Sequence, residues 1–169
     1  VVGTLVHIGD SHIQAGVLGG TMRNNLQAYF GNAGRGLVFP YQLARSNGPD
    51  DIICSSNISW NNNRLVHPEI AISTGITGFA ITTASVNGAA INISLKDSGN
   101  TPNMFNRVKL FFDSSSAVPW VLHAGENNND TIIESNASMY ADVLLPNYTN
   151  SFSITSLPTD NTKTFYGAS

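Results

Sequence analysis

The sequence predicts a mainly β protein, an antiparallel β-sandwich or jelly roll preceded by one strand and one helix of an incomplete α/β unit. Two patterns carry this prediction. Beyond about residue 50 the chain is a succession of short β-like runs separated by Asn, Gly, Pro and Ser, with no helical period of useful length. Before it, an apolar run at residues 3–8 passes through Gly9-Asp10-Ser11-His12 into a stretch where apolar residues recur every four positions.

Taken in order, residues 3–8 have the character of a buried parallel strand. Over residues 13–30, Leu18, Met22 and Leu26 line one helical face that Tyr29 and Phe30 complete, and Gly31 follows as the natural C′ residue. Gly19 and Gly20 each cost that helix roughly 1 kcal/mol relative to Ala, which suits either a close approach by another group or a later helix start. Residues 32–51 read as a long loop carrying Gly34, Gly36, Pro40, Gly48 and Pro49, and a domain crossing is placed at residues 47–51. The chain thereby divides into residues 1–50, a β-α segment, and residues 51–169, a β-sandwich.

Strands are expected at residues 52–60, 69–73, 78–83, 89–95, 107–112, 120–123, 131–134, 140–145, 152–156 and 164–166. Alternation is cleanest where Val108, Leu110 and Phe112 share one face and Ala141, Val143 and Leu145 share another. A parallel sheet cannot stand on one β-α pair. The remainder of the α/β sheet is therefore expected from the parent protein or from another chain.

Composition narrows the function classes. The 169 residues are 41% hydrophobic, enough for one packed domain, and contain no apolar run long enough to span a membrane. Charged residues make up only 11% and the net charge is −3, which argues against nucleic acid as a partner. The single cysteine, Cys54, excludes an internal disulfide or a cysteine-cluster metal site and reads as a buried strand residue. The Asn/Ser/Thr-rich polarity suits a secreted or periplasmic protein, and a start without an initiator methionine or a leader reads as a processed piece.

A serine delivered where a strand runs into a helix is a common way to present a nucleophile. Ser11 occupies that position. Asp10 reads as turn support, since Asp bonds local backbone N–H groups. His12 follows Ser11 directly and His7 lies on the expected strand, so neither is placed to act as its base.

The block Gly9-Asp10-Ser11, with the Gly31-to-Pro40 loop behind it, resembles the SGNH (GDSL-type) hydrolases, in particular secreted bacterial members with a β-sandwich inserted soon after the serine. His12 stands where that family has Leu. The resemblance implies a carbohydrate or peptidoglycan O-acetylesterase with Ser11 as nucleophile and its own N–H as one oxyanion donor, no cofactor and no metal. It also implies a base and acid from a late Asp-x-x-His block and oxyanion donors from glycine and asparagine blocks, none of which is visible here. This chain is therefore expected to be inactive alone, its partners being an O-acylated glycan or peptidoglycan and the remainder of the catalytic domain.

Several further residues invite function. Gly34-Arg35-Gly36 could bring a guanidinium and free N–H groups to a ligand, or be a mobile loop with a surface charge. Trp60 and Trp120, with Tyr148 behind them, offer a sugar-stacking platform, or else fill the core. Gly125-Glu126-Asn127-Asn128 and Val86-Asn87-Gly88-Ala89 imitate catalytic blocks but read better as turns. His67 and His123 read as surface or packing residues. Two rival functions stand beside the esterase. One is a carbohydrate-binding sandwich without its own chemistry; the other, weaker, is a metallophosphoesterase-like site built on Asp10-x-His12, for which later ligand blocks are missing.

Overall fold

Alternating apolar residues with turn residues between them can bury one face only by pairing into sheets and stacking those sheets. A computed structural model, which describes residues 5–66, 73–97, 102–113, 118–124, 130–133 and 139–169, shows this arrangement. Among these residues two short helices, α1 (Ser11–Gln14) and α2 (Val17–Phe30), precede ten strands: β1 (Ile52–Ser56), β2 (Asn61–Arg64), β3 (Phe79–Thr83), β4 (Ala90–Leu95), β5 (Phe105–Phe112), β6 (Trp120–Ala124), β7 (Thr131–Ile133), β8 (Tyr140–Thr149), β9 (Ser151–Ser156) and β10 (Lys163–Ala168).

The strands form two antiparallel five-stranded sheets, ordered β2-β3-β10-β5-β8 and β1-β4-β9-β6-β7. Without their first members these orders become β3-β10-β5-β8 and β4-β9-β6-β7, the interleaving of two Greek keys that defines a jelly roll. Strands β1 and β2 widen that jelly roll by one strand per sheet. The core lies between the sheets: Ile91 and Ile93 of β4, Ile154 of β9 and Trp120 and Leu122 of β6 meet Ile81, Leu110, Phe112 and Phe165 from the facing sheet, all essentially solvent-free. Burying each such side chain is worth about 1.5–3 kcal/mol.

The segment between the helices and β1 belongs to this core. Val38 exchanges two backbone hydrogen bonds with Ala168 at the end of β10, of 2.7 and 2.8 Å, while Phe39 and Ala44 are fully buried. Gly167 permits the contact. Its φ is +126°, and a Cβ there would stand 2.8 Å from the Val38 carbonyl oxygen.

At the opposite position along β10, Lys163 is wholly buried and its ammonium donates to the carbonyl oxygens of Ser85 and Thr159, at 2.6 and 2.9 Å, and more distantly to that of Asn161. Burial pushes this amine below its ordinary value.

Four expectations need correction. Residues 5–8 join no sheet among the described residues: both sheets are built from strands of residues 52–168, and Leu5, Val6 and Ile8 are 66%, 70% and 85% exposed. The single helix expected over residues 13–30 is broken at Gly16, whose φ of +79° takes it out of the helix and whose missing Cβ leaves room for Pro49. The strand expected over residues 52–60 ends at Ser56, where the chain turns, and an unexpected strand, β2, begins at Asn61. β8 continues to Thr149, past the expected end at residue 145. The strand expected at residues 69–73 lies almost wholly outside the described residues.

Helix α2 is amphipathic with its polar side inward. Arg23, Asn24 and Gln27 face the body of the protein, whereas Val17, Leu18, Met22, Leu26, Tyr29 and Phe30 are exposed. Hydrogen bonds, not apolar burial, hold it. Asp51, immediately before β1, accepts from the Arg23 Nη2 at 2.7 Å and from the Arg35 Nη2 at 2.9 Å, with the Arg35 Nε also 2.7 Å from it. The three side chains are only 12–16% exposed. Gln14 adds bonds from α1 to Ser46 and Asn47, and Gln27 bonds the Gly34 carbonyl.

Removing one member of a largely buried ion cluster leaves the remaining charges uncompensated. Asp51→Ala should therefore destabilise the chain by about 3 kcal/mol, seen as a thermal midpoint lower by roughly 6–12 °C. An unchanged midpoint would show that the clamp carries no stability.

Candidate functional site

The Gly9-to-Gln14 turn is built around Asp10. As N-cap of α1, its carboxylate accepts from the His12 backbone N–H at 3.0 Å, and its carbonyl takes the Ile13 and Gln14 N–H groups. The same carboxylate oxygen meets the His12 ring Nδ1 at 3.1 Å. These bonds, the backbone one foremost, hold the Asp10 carboxyl below its ordinary range. Asp10 thus caps the turn in which it stands.

Ser11 is the first helical residue and is exposed. Its hydroxyl makes no hydrogen bond to any described residue. His12 is the adjacent residue in the same turn of helix, and neighbours at that spacing point in different directions. Its ring is turned to Asp10. His7 is also exposed, and its Nδ1 would lie 4.0 Å from a Cβ on Gly19, ordinary van der Waals distance, so no close approach requires the glycine. No such neighbour stands within 4 Å of Gly20. The serine is thus presented at a helix head with its N–H free, without a base or orienting acid beside it among the described residues.

The remaining sequence candidates are dispersed. Arg35 is neither a mobile surface charge nor a free ligand donor, because its guanidinium is committed to Asp51. Gly34 and Gly36 have φ of +95° and +77°, and they shape the loop that carries Arg35 inward. Trp60 and Trp120 are 4% and 2% exposed, core residues with no ring face left for a sugar. Trp60 also donates from its ring N–H to the Ser56 hydroxyl at 2.8 Å. Tyr148 is exposed on β8. Cys54 lies in β1, packed against the core, and burial pushes its thiol up to about 12. His123 pairs through Nδ1 with Asp130 at 2.5 Å. His67 and residues 125–128 lie outside the described residues.

Among the described residues no three His, Cys, Asp or Glu side chains converge as metal ligands. Asp10 and His12 bond one another, so the Asp-x-His reading lacks a third ligand there. No helix among the described residues is long and apolar enough to cross a membrane. The residues that sequence reasoning passed over are Arg23 and Asp51. The only signal for them was that charged residues are scarce in this chain, so the arginines preceding the Asp50-Asp51 pair in the first third had few alternatives for partners.

No protein-family model matches the chain, and no curated protein matches it in sequence. Among solved structures, a peptidoglycan O-acetylesterase is similar over 94% of this chain and 40% of its own length, with a TM-score of 0.65 at 15% identity. A carbohydrate-binding module in complex with β-1,4-galactotriose is similar over 69% of this chain and 83% of its own, with a TM-score of 0.42 at 10% identity. The first likeness is one of fold. The present chain spans less than half the length of that esterase.

Because the shift of Asp10 is downward, its capping contribution is complete above about pH 3.8 and is lost as pH falls through the lower folded value. A carboxyl carbon titration by NMR should place the Asp10 midpoint below 3.8, with the His12 amide losing protection over the same range. A midpoint at or above that value would contradict the capping bond.

Proposed function

We propose that the chain is the nucleophile-bearing segment and sandwich of a serine ester hydrolase that acts on O-acetylated carbohydrate or peptidoglycan. The observation that carries this reading is the pairing of an exposed, unpartnered Ser11 at a helix head with an α2 helix whose apolar side faces outward. In this reading a base takes the Ser11 hydroxyl proton as the oxygen attacks the acyl carbonyl carbon, and the Ser11 N–H donates to the developing oxyanion. The acyl–sugar bond then breaks, the sugar alkoxide takes that proton from the base, and water hydrolyses the acyl-serine to free acid and serine. That base and its orienting acid come with the remainder of the catalytic domain, which covers Leu18, Met22 and Leu26 and gives residues 5–8 a sheet to join. The peptidoglycan O-acetylesterase whose fold this chain resembles supports the substrate class, and such a substrate places the protein outside the cytoplasm.

A second reading, that the sandwich binds glycan whether or not the esterase is assembled, is favoured by the open polar and aromatic surface of β5 and β8. The two readings are compatible.

Hydrolysis of p-nitrophenyl acetate and intact mass after a serine-directed phosphonate test the first. The chain alone should show no turnover above its Ser11→Ala variant and no adduct. The same chain joined to the rest of its parent sequence should hydrolyse the ester and form one adduct, both abolished by Ser11→Ala. Turnover by the complete protein that survives Ser11→Ala would end the assignment.

A further inference from the structure

One half of the outer surface of the β2-β3-β10-β5-β8 sheet carries recognition chemistry that neither the esterase reading nor the fold requires. Cross-strand pairing of Arg107 with Leu144, Lys109 with Asp142 and Phe111 with Tyr140 puts these six side chains on one face. The alternate residues Val108, Leu110 and Phe112 enter the core from the other face. Among the described strands β8 is the edge of its sheet.

The arrangement is preorganised. Arg107 grips Asp142 through Nε and Nη2 at 2.7 and 2.8 Å, a planar two-bond contact that fixes the guanidinium while leaving its side chain 69% exposed. That grip, together with the nearby Lys109, holds the Asp142 carboxyl below its ordinary range. The Lys109 Nζ stands 3.6 Å from Asp142 and 5.0 Å from the centroid of the Tyr140 ring, which orients a ring that is itself 50% exposed. Two cations against one carboxylate leave a local positive excess on a chain whose net charge is −3.

We propose that this face binds an acidic glycan, a pyranose chain bearing carboxylates. A sugar ring lies on Tyr140, its hydroxyls bond to the uncommitted N–H groups of Arg107 and to Asp142, and a carboxylate is drawn by Lys109 and Arg107. The surplus charge selects against neutral chains of the same backbone. The outer face of the other sheet offers a contrast: the cross-strand row Ser55, Asn92 and Ser153 there ends on His123, whose ring is engaged by Asp130, and it sets no lysine or arginine beside an aromatic ring.

The proposal rests on the carbohydrate-binding reading and is tested so that the two can fail separately. Co-sedimentation with insoluble peptidoglycan and with chitin, which shares the amino-sugar backbone but lacks the peptide stems that carry the carboxylates, is measured for the wild type, Tyr140→Ala, Arg107→Ala and Ser153→Ala. Thermal melting verifies the fold of each variant. The wild type should bind peptidoglycan, and Tyr140→Ala and Arg107→Ala should each weaken it by about tenfold, while Ser153→Ala should not. Chitin should bind more weakly, and added salt should reduce the difference between the polymers. Peptidoglycan binding that survives both Tyr140→Ala and Arg107→Ala overturns this site and leaves the carbohydrate reading standing. Equal affinity for chitin overturns the acidic specificity. A wild type that sediments with neither polymer overturns both readings.

Discussion

The contact on which the N-terminal half of the structure depends is the sharing of one carboxylate by two guanidinium groups. Asp51 sits at the entry to β1 and holds Arg23 from α2 and Arg35 from the glycine-flanked loop. Two positive groups so close repel one another, and burial followed by the Arg35 charge pushes the Arg23 guanidinium below its ordinary value while Asp51 opposes the shift. The cluster persists because Asp51 answers both. Without it α2 would have little reason to lie where it does, since none of its residues is buried.

That mode of attachment decides which side of α2 is available. A surface helix ordinarily turns its apolar stripe inward and gains its place from burial. Here the inward side is spent on hydrogen bonds to Asp51 and Gly34, so the apolar stripe faces away from the sandwich. Ser11 lies at the start of the short helix just before it, across the joint at Gly16. The orientation of the serine therefore depends on a carboxylate, that of Asp51, about 40 residues away in sequence.

How much of this was legible depended on whether a residue's role was local. Strands such as β4, β5 and β9 were legible because strict alternation leaves one way to bury a face. Asn61-Asn62-Asn63-Arg64 has no such pattern, and it is a strand only because β3 supplies its register. The apolar run at residues 5–8 satisfied the pattern of a buried strand without a sheet to join, which no local signal reports. The turn at Asp10 was legible because capping is decided within three residues. The fate of Arg35 was not, since its partner lies 16 residues on. Trp60 and Trp120 were ambiguous by nature, as a core and a sugar platform want the same side chain.

The buried ammonium of Lys163 has a different kind of consequence. Several carbonyl oxygens converging on one positive centre form a donor set that a hard cation such as calcium also accepts. In this chain the cation is tethered to β10. The loops around Ser85 and Thr159 are therefore gathered by a charge that cannot diffuse away, so their closure does not follow the ion content of the surrounding medium. Chelators have nothing to remove from it, and the junction is instead tied to whether a single amine keeps its proton.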